Sequence, residues 1–159
     1  MTYLIDTHAH LDMYENWAEI FQKAQDNGVK KVVIPSVETQ YFQKIIDIAN
    51  TGDDLFCMLG IFPTEAKTWT DDIIDRMEEL SSDKKVVAIG EVGLDYYWDK
   101  TFIDKQQDIF IKQIKLANKL NLPIVVHDRD AHKDCFNILK EVNQGSKVLF
   151  HCFSGSPEF

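Results

Sequence analysis

The feature that most constrains this chain is a regular alternation: short β-rich runs separated by longer segments of helical period, from the first residues to the last. Strands are predicted over residues 3–8, 31–37, 55–61, 86–92, 123–127 and 147–153. Between them Trp17, Ile20, Phe21 and Ala24 share one helical face, as do Phe42, Ile45, Ile46 and Ala49. Gly28 and Gly52 are placed to stop these two helices. Ile73, Ile74, Met77 and Leu80 repeat the spacing, then Phe110, Ile114, Ala117 and Leu120, then Cys135, Phe136, Leu139 and Val142. Strand followed by helix without a break gives parallel strands joined by right-handed crossovers. That leaves an open doubly wound sheet or a (β/α)8 barrel.

The 159 residues, 45% of them hydrophobic, suit one domain with its own core. No Pro/Gly/Ser-rich linker or low-complexity tract divides the chain, so residues 1–159 are read as one domain. A complete barrel has eight strands and needs ~250 residues, so a barrel reading is of an incomplete one, cut after strand six. Asp6, His8 and His10 interrupt the first apolar run before it could serve as a secretory core, and no apolar stretch reaches the ~20 residues of a membrane span. The expectation is a soluble, cytoplasmic protein. Cys57, Cys135 and Cys152 form no CxxC pair and are expected to be reduced, buried thiols. A formal net charge of −9 argues against a broad basic face for nucleic acid. Phosphate must then be held locally, as bound divalent cations could do.

Chemistry-bearing residues fall at the ends of the predicted strands. Asp6-Thr7-His8-Ala9-His10 closes the first, and side chains two apart on a strand share a face, so His8 and His10 can converge on one metal ion. Residues 86–90 run into Glu91, 123–126 into His127 and 147–150 into His151. A lone histidine in such a place is usually a satisfied core or cap residue, but four coincidences are far less expected. Ligands spread over strands one, four, five and six match the C-terminal rim of a barrel, whereas an open sheet gathers them at one crevice. Four imidazoles and one carboxylate suffice for two ions, with Glu91 a plausible bridge because it has two oxygens. Such a pair supports hydrolysis at phosphorus.

The stretches DTHAHLD (6–12), GEVGLDYYWDK (90–100), LPIVVHDRDA (122–131) and HCFSGSPE (151–158) resemble, in order and across the whole chain, the TatD-type metal-dependent deoxyribonucleases of the amidohydrolase-like barrels. The resemblance implies a TIM-type barrel and divalent-metal-dependent cleavage of DNA phosphodiesters, at single strands or duplex ends. It carries metal ligation onto His8, His10, Glu91, His127 and His151. Two departures stand out. The family's GxHPH-like turn reads Gly60-Ile61-Phe62-Pro63-Thr64, so Phe62 and Thr64 replace both histidines. The aspartate that the family places after its eighth strand, as metal ligand and helper of the nucleophilic water, would lie beyond residue 159. The catalytic base is therefore unassigned, and a six-strand piece alone is expected to be weakly folded or associated and nearly inactive.

Arg129 is a candidate substrate-phosphate contact, balanced against pairing with Asp130. Asp95, Tyr96, Tyr97 and Trp98 are read as a fourth-loop segment, either stacking on bases or packing as a lid. His132 is expected to be a solvated surface residue, and Cys152 to point away from the site. Ligand softness suits zinc, manganese or iron, and the family suggests magnesium. The alternatives are another amidohydrolase-like small-molecule hydrolase, or a non-catalytic remnant. No sequence feature marks a membrane or a stable protein partner.

Overall fold

A computed structural model describes residues 3–98 and 100–156. Asp99 and the tail of the fourth motif, Pro157 and Glu158, lie outside them. Six strands form one parallel sheet: β1 (Leu4–Asp6), β2 (Val29–Pro35), β3 (Leu55–Leu59), β4 (Val86–Asp95), β5 (Ile124–Arg129) and β6 (Val148–His151). Each strand pairs with its sequence neighbours, in the order β1-β2-β3-β4-β5-β6. An open doubly wound sheet reverses strand order at a switch point; this one does not. The sheet curls as an incomplete TIM-type barrel.

Five α-helices connect the strands: α1 (Trp17–Asp26), α2 (Phe42–Ala49), α3 (Asp72–Leu80), α4 (Ile103–Leu120) and α5 (His132–Val142). Alternation along the central strands separates two apolar layers. Val32, Ile34, Cys57, Leu59, Ile89, Ile124 and Val126 pack with Phe42, Ile45, Phe110 and Ile114 of the helices. Full burial of each large side chain contributes roughly 1.5–3 kcal/mol. On the opposite, inner face Met58, Ala88 and Val125 form a small separate cluster with Val33 against it. The two outermost strands differ from the rest. All three residues of β1 are exposed, as are Val148 and Leu149 of β6.

Three polar clamps fix the backbone where the central strands end. Ser36 Oγ donates to Gly60 O at 2.9 Å and accepts from Gly60 N at 2.8 Å. Gln113 of α4 accepts from Ile61 N at 2.8 Å and donates to Ile61 O at 3.3 Å. One helical stretch earlier, Gln106 accepts from Asp95 N at 2.9 Å and donates to Asp95 O at 3.2 Å. All three side chains are buried, so each satisfies backbone groups that would otherwise be left unpaired away from water. Between β4 and β5 the approach is closest at Gly93, which has φ +142° and leaves no space for a Cβ beside His127 O. A side chain there would separate the two strands that carry the centre of the site.

Candidate metal centre

His8, His10, Glu91, His127 and His151 line one cavity of about 480 Å³ at the C-terminal ends of the strands, together with Met13, Val37, Phe62 and Cys152. They reach it by different routes. β1 ends at Asp6, so His8 and His10 converge from the loop after the strand and not by strand alternation, as the sequence pattern suggested. That loop is shaped locally: Asp6 Oδ1 accepts from His8 N at 3.0 Å, and Ala9 N donates to Val33 O at 3.1 Å. Glu91 lies inside β4, where the register against β5 shifts between Ile89 and Val92. Such irregularities re-aim side chains next to functional sites. His127 lies two residues past Val125, on the same inner face, and is the register partner of His151.

Glu91 is 4% exposed and its two oxygens face opposite halves of the cluster. Oε2 lies 3.1 Å from His8 Nε2 and Oε1 lies 3.1 Å from His127 Nδ1. His8, His10 and Glu91 each offer a ligand atom within 4.8 Å of the other two. His151 stacks on His8 with ring centroids 3.5 Å apart. The donor set, neutral imidazoles around one carboxylate, fits a divalent cation. So do two nitrogens: His8 Nδ1 and His10 Nδ1 are buried and without a hydrogen-bond partner among the described residues.

The electrostatics run the same way. Burial opposes ionisation of Glu91, but hydrogen bonds from His127 and His8 outweigh it and hold the carboxyl at about 2. Burial lowers the pKa of His10, with His8 adding to the effect, and lowers that of His151 likewise. Both are thereby kept in the neutral, ligating form. His127 is the exception. Burial would lower its pKa, but Glu91 and Asp95 raise it. Of the imidazoles in the metal-free centre, His127 thus binds a proton most readily, where two carboxylates meet one ring.

Asp95 is the residue that the sequence reading misplaced. It is the last residue of β4, not part of the following loop, and its Oδ2 lies 3.0 Å from His127 Nε2. Phe62 packs its ring 4.4 Å from that of His127. Arg129 is exposed at the rim of the adjoining cavity, its guanidinium 4.3 Å above the Tyr97 ring. His132 is half-buried at the surface, its Nδ1 2.6 Å from Asp128 Oδ2. One further expectation is corrected. Cys152 is exposed and lines the site, because β6 stops at His151 and the next residue turns with φ +46°, so strand alternation no longer applies. Cys57 and Cys135 are buried, and burial pushes the Cys57 thiol up to about 12.

The family model described as TatD related DNase matches residues 5–159. The chain belongs to this family. It is 38% identical over 161 residues to a protein named "Uncharacterized metal-dependent hydrolase YabD" of Bacillus subtilis, covering 98% of this chain and 62% of that one. It is 29% identical over 141 residues to a "3'-5' ssDNA/RNA exonuclease TatD" of Cronobacter sakazakii, covering 88% and 54%. The crystal structure of YjjV, a TatD homologue from Escherichia coli, superposes with a TM-score of 0.89 at 30% identity, covering 96% of this chain and 61% of that one. The chain thus spans between about half and about three-fifths of the length of these relatives. No helix among the described residues is long and apolar enough to cross a membrane.

Proposed function

We propose that the protein is a cytoplasmic, two-metal phosphodiesterase that removes nucleotides from DNA, at single strands or duplex ends. The observation that carries this reading is the position of Glu91, with one oxygen toward His8 and the other toward His127. His8, His10 and Glu91 would hold one ion, and Glu91, His127 and His151 a second. Bound divalent ions, magnesium, manganese or zinc, would supply charge to activate a water and to neutralise a phosphate in displacement. The rest falls to side chains of this chain. With a net charge of −9, phosphate cannot be gathered by a general basic surface, so Arg129 at the rim is assigned to a substrate phosphate. Tyr97 and Trp98, 53% and 70% exposed beside it, offer ring faces to a base. Phe62 packs against the His127 ring and forms part of the cavity wall. The family membership and the printed name of the Cronobacter relative support a nucleic-acid substrate.

The apolar side of the cavity, Met13, Val37 and Phe62, favours a second reading, a small-molecule ester or lactone hydrolase using the same ligands. To separate the two, the complete protein is loaded with Mg²⁺, Mn²⁺ or Zn²⁺ and given end-labelled single-stranded and duplex DNA. Nucleotide release that is abolished by chelator and by Glu91→Gln supports the nuclease. Intact DNA alongside turnover of a lactone or ester overturns it.

A further inference from the structure

We infer that Asp95 is a positioning residue that fixes the tautomer of His127, leaving Nδ1 as the nitrogen available to a metal shared with Glu91. The inference rests on the metal-centre reading above and concerns a residue outside the proposed ligand set.

Asp95 is 0% exposed, and both of its oxygens are committed. Oδ1 accepts from Tyr97 N and Trp98 N, each at 2.9 Å, while Oδ2 faces His127 Nε2 at 3.0 Å. Its backbone is held on both sides by Gln106, itself buried. The carboxylate therefore has little freedom to turn. An ionised carboxylate only accepts hydrogen bonds, so the hydrogen in the contact with His127 belongs to Nε2. In a neutral imidazole the other nitrogen then carries the lone pair. That nitrogen, Nδ1, is the one 3.1 Å from Glu91 Oε1, which cannot donate to it. In the protonated ring a hydrogen on Nδ1 bridges that gap, and in the neutral ring a cation would take its place between lone pair and carboxylate. Carboxylate–histidine–metal arrangements of this kind orient the ring and fix its tautomer.

A bland reading competes: Asp95 as nothing more than a cap for the turn at Tyr97 and Trp98. Asp95→Asn separates them. The amide oxygen of asparagine can still accept from Tyr97 N and Trp98 N, so a pure cap survives. Its amide group then presents hydrogen to His127 Nε2, which selects the opposite tautomer, with hydrogen on Nδ1.

The test measures zinc affinity by calorimetry and the His127 tautomer by ¹⁵N NMR of the metal-free protein at alkaline pH, for the wild type, Asp95→Asn and Glu91→Gln. The expected results are an Nε2–H tautomer in the wild type, an Nδ1–H tautomer in Asp95→Asn, and zinc affinity about 10–100-fold weaker in that variant. Wild-type affinity and tautomer in Asp95→Asn, with zinc lost in Glu91→Gln, would overturn the inference and leave the metal centre standing. Undiminished zinc binding in Glu91→Gln would overturn the metal centre itself. If Asp95→Asn does not fold, the wild-type spectrum still decides: an Nδ1–H tautomer there refutes the inference.

Discussion

The inner half of the site and its outer half are built in opposite ways. Glu91 and His127 stand on β4 and β5, which are largely buried and tied by five register pairs, with Gln106 and Gln113 clamping the adjoining strand ends. His8, His10 and His151 stand at the outermost strands, two of them in a loop after a three-residue exposed strand. Beyond the loop's bonds at His8 N and Ala9 N, their order comes from each other: His8 stacks on His151 and contacts Glu91. The inner half is positioned before any ligand arrives, whereas the outer half gains its geometry from the groups it meets. Preorganised ligands lose less on binding, so the inner half should set affinity and the outer half should adapt.

The strongest attempt to break this contrast is Glu91→Gln, since Glu91 is where the halves meet. Loss of the shared carboxylate is expected to remove bound metal and to lower hydrolysis on the order of 10³-fold, equivalent to several kcal/mol of transition-state charge stabilisation. Metal analysis that still finds two ions in this variant would overturn the shared centre, and with it the contrast between the halves. Next in size is a pair of alanine substitutions read by thermal or denaturant unfolding of the metal-free protein. His127→Ala leaves Asp95 and Glu91, 0% and 4% exposed, short of a partner, and is expected to cost on the order of 3 kcal/mol. His151→Ala removes a ring that stacks near the edge of the sheet and should cost less than about 1 kcal/mol. Equal losses would erase the distinction between halves.

A pH series sharpens it further. In the metal-free protein the His127 pKa is raised above 6.5, because Glu91 and Asp95 outweigh burial. A raised histidine adds folding stability that is full below its unfolded pKa and fades as pH climbs through the folded value. Metal binding has the opposite dependence, since the ion must displace that proton. Zinc affinity should therefore weaken as pH falls, by up to about tenfold per unit, starting above 6.5 and not below it. His10 and His151, with lowered values, are already neutral in that range. Titration of zinc affinity between about pH 6 and 8 checks this, and a flat profile would remove His127 from the proton inventory.

The fold was legible because its signals are local: apolar runs of strand length, helical spacing between them, and metal-competent residues after the runs. The five candidate ligands were found on that basis, and the structure brings them to one cavity. Strand ends were less legible, because they depend on pairing with distant residues. The β4 strand was expected to stop at residue 92, but Gly93, Leu94 and Asp95 continue it by pairing with His127, Asp128 and Arg129. Two-residue alternation from Glu91 through Gly93 would have placed Asp95 on the same side as Glu91. Gln106 and Gln113 were missed for a different reason. They lie seven residues apart on the buried face of α4 with Phe110 and Ala117, so the helical period contained them, but a hydropathy reading counts glutamine as surface. His8 and His10 were assigned to the correct place by an incorrect route, since a loop and not a strand brings them together.

Arg129, at the rim of the inner half, extends the contrast to substrate binding. Arg129 continues β5 two residues past His127, so the rigid half supplies it, yet its guanidinium rests over the exposed ring of Tyr97. A cation over an aromatic face at an exposed site is worth roughly 0.5–1 kcal/mol, whereas a charge-assisted bond to a phosphate is worth about 1.5–3 kcal/mol. The two roles predict different kinetics. If Arg129 receives phosphate equally in the ground and transition states, Arg129→Ala raises KM about tenfold with kcat nearly unchanged. Arg129→Lys should recover part of that loss, because it keeps the charge but not the bidentate fork. If Arg129 serves only to pack Tyr97 and Trp98, both variants lower thermal stability slightly and leave KM at its original value. Steady-state kinetics on a short single-stranded oligonucleotide, measured at two salt concentrations, separates these outcomes, since a lost phosphate contact also flattens the salt dependence.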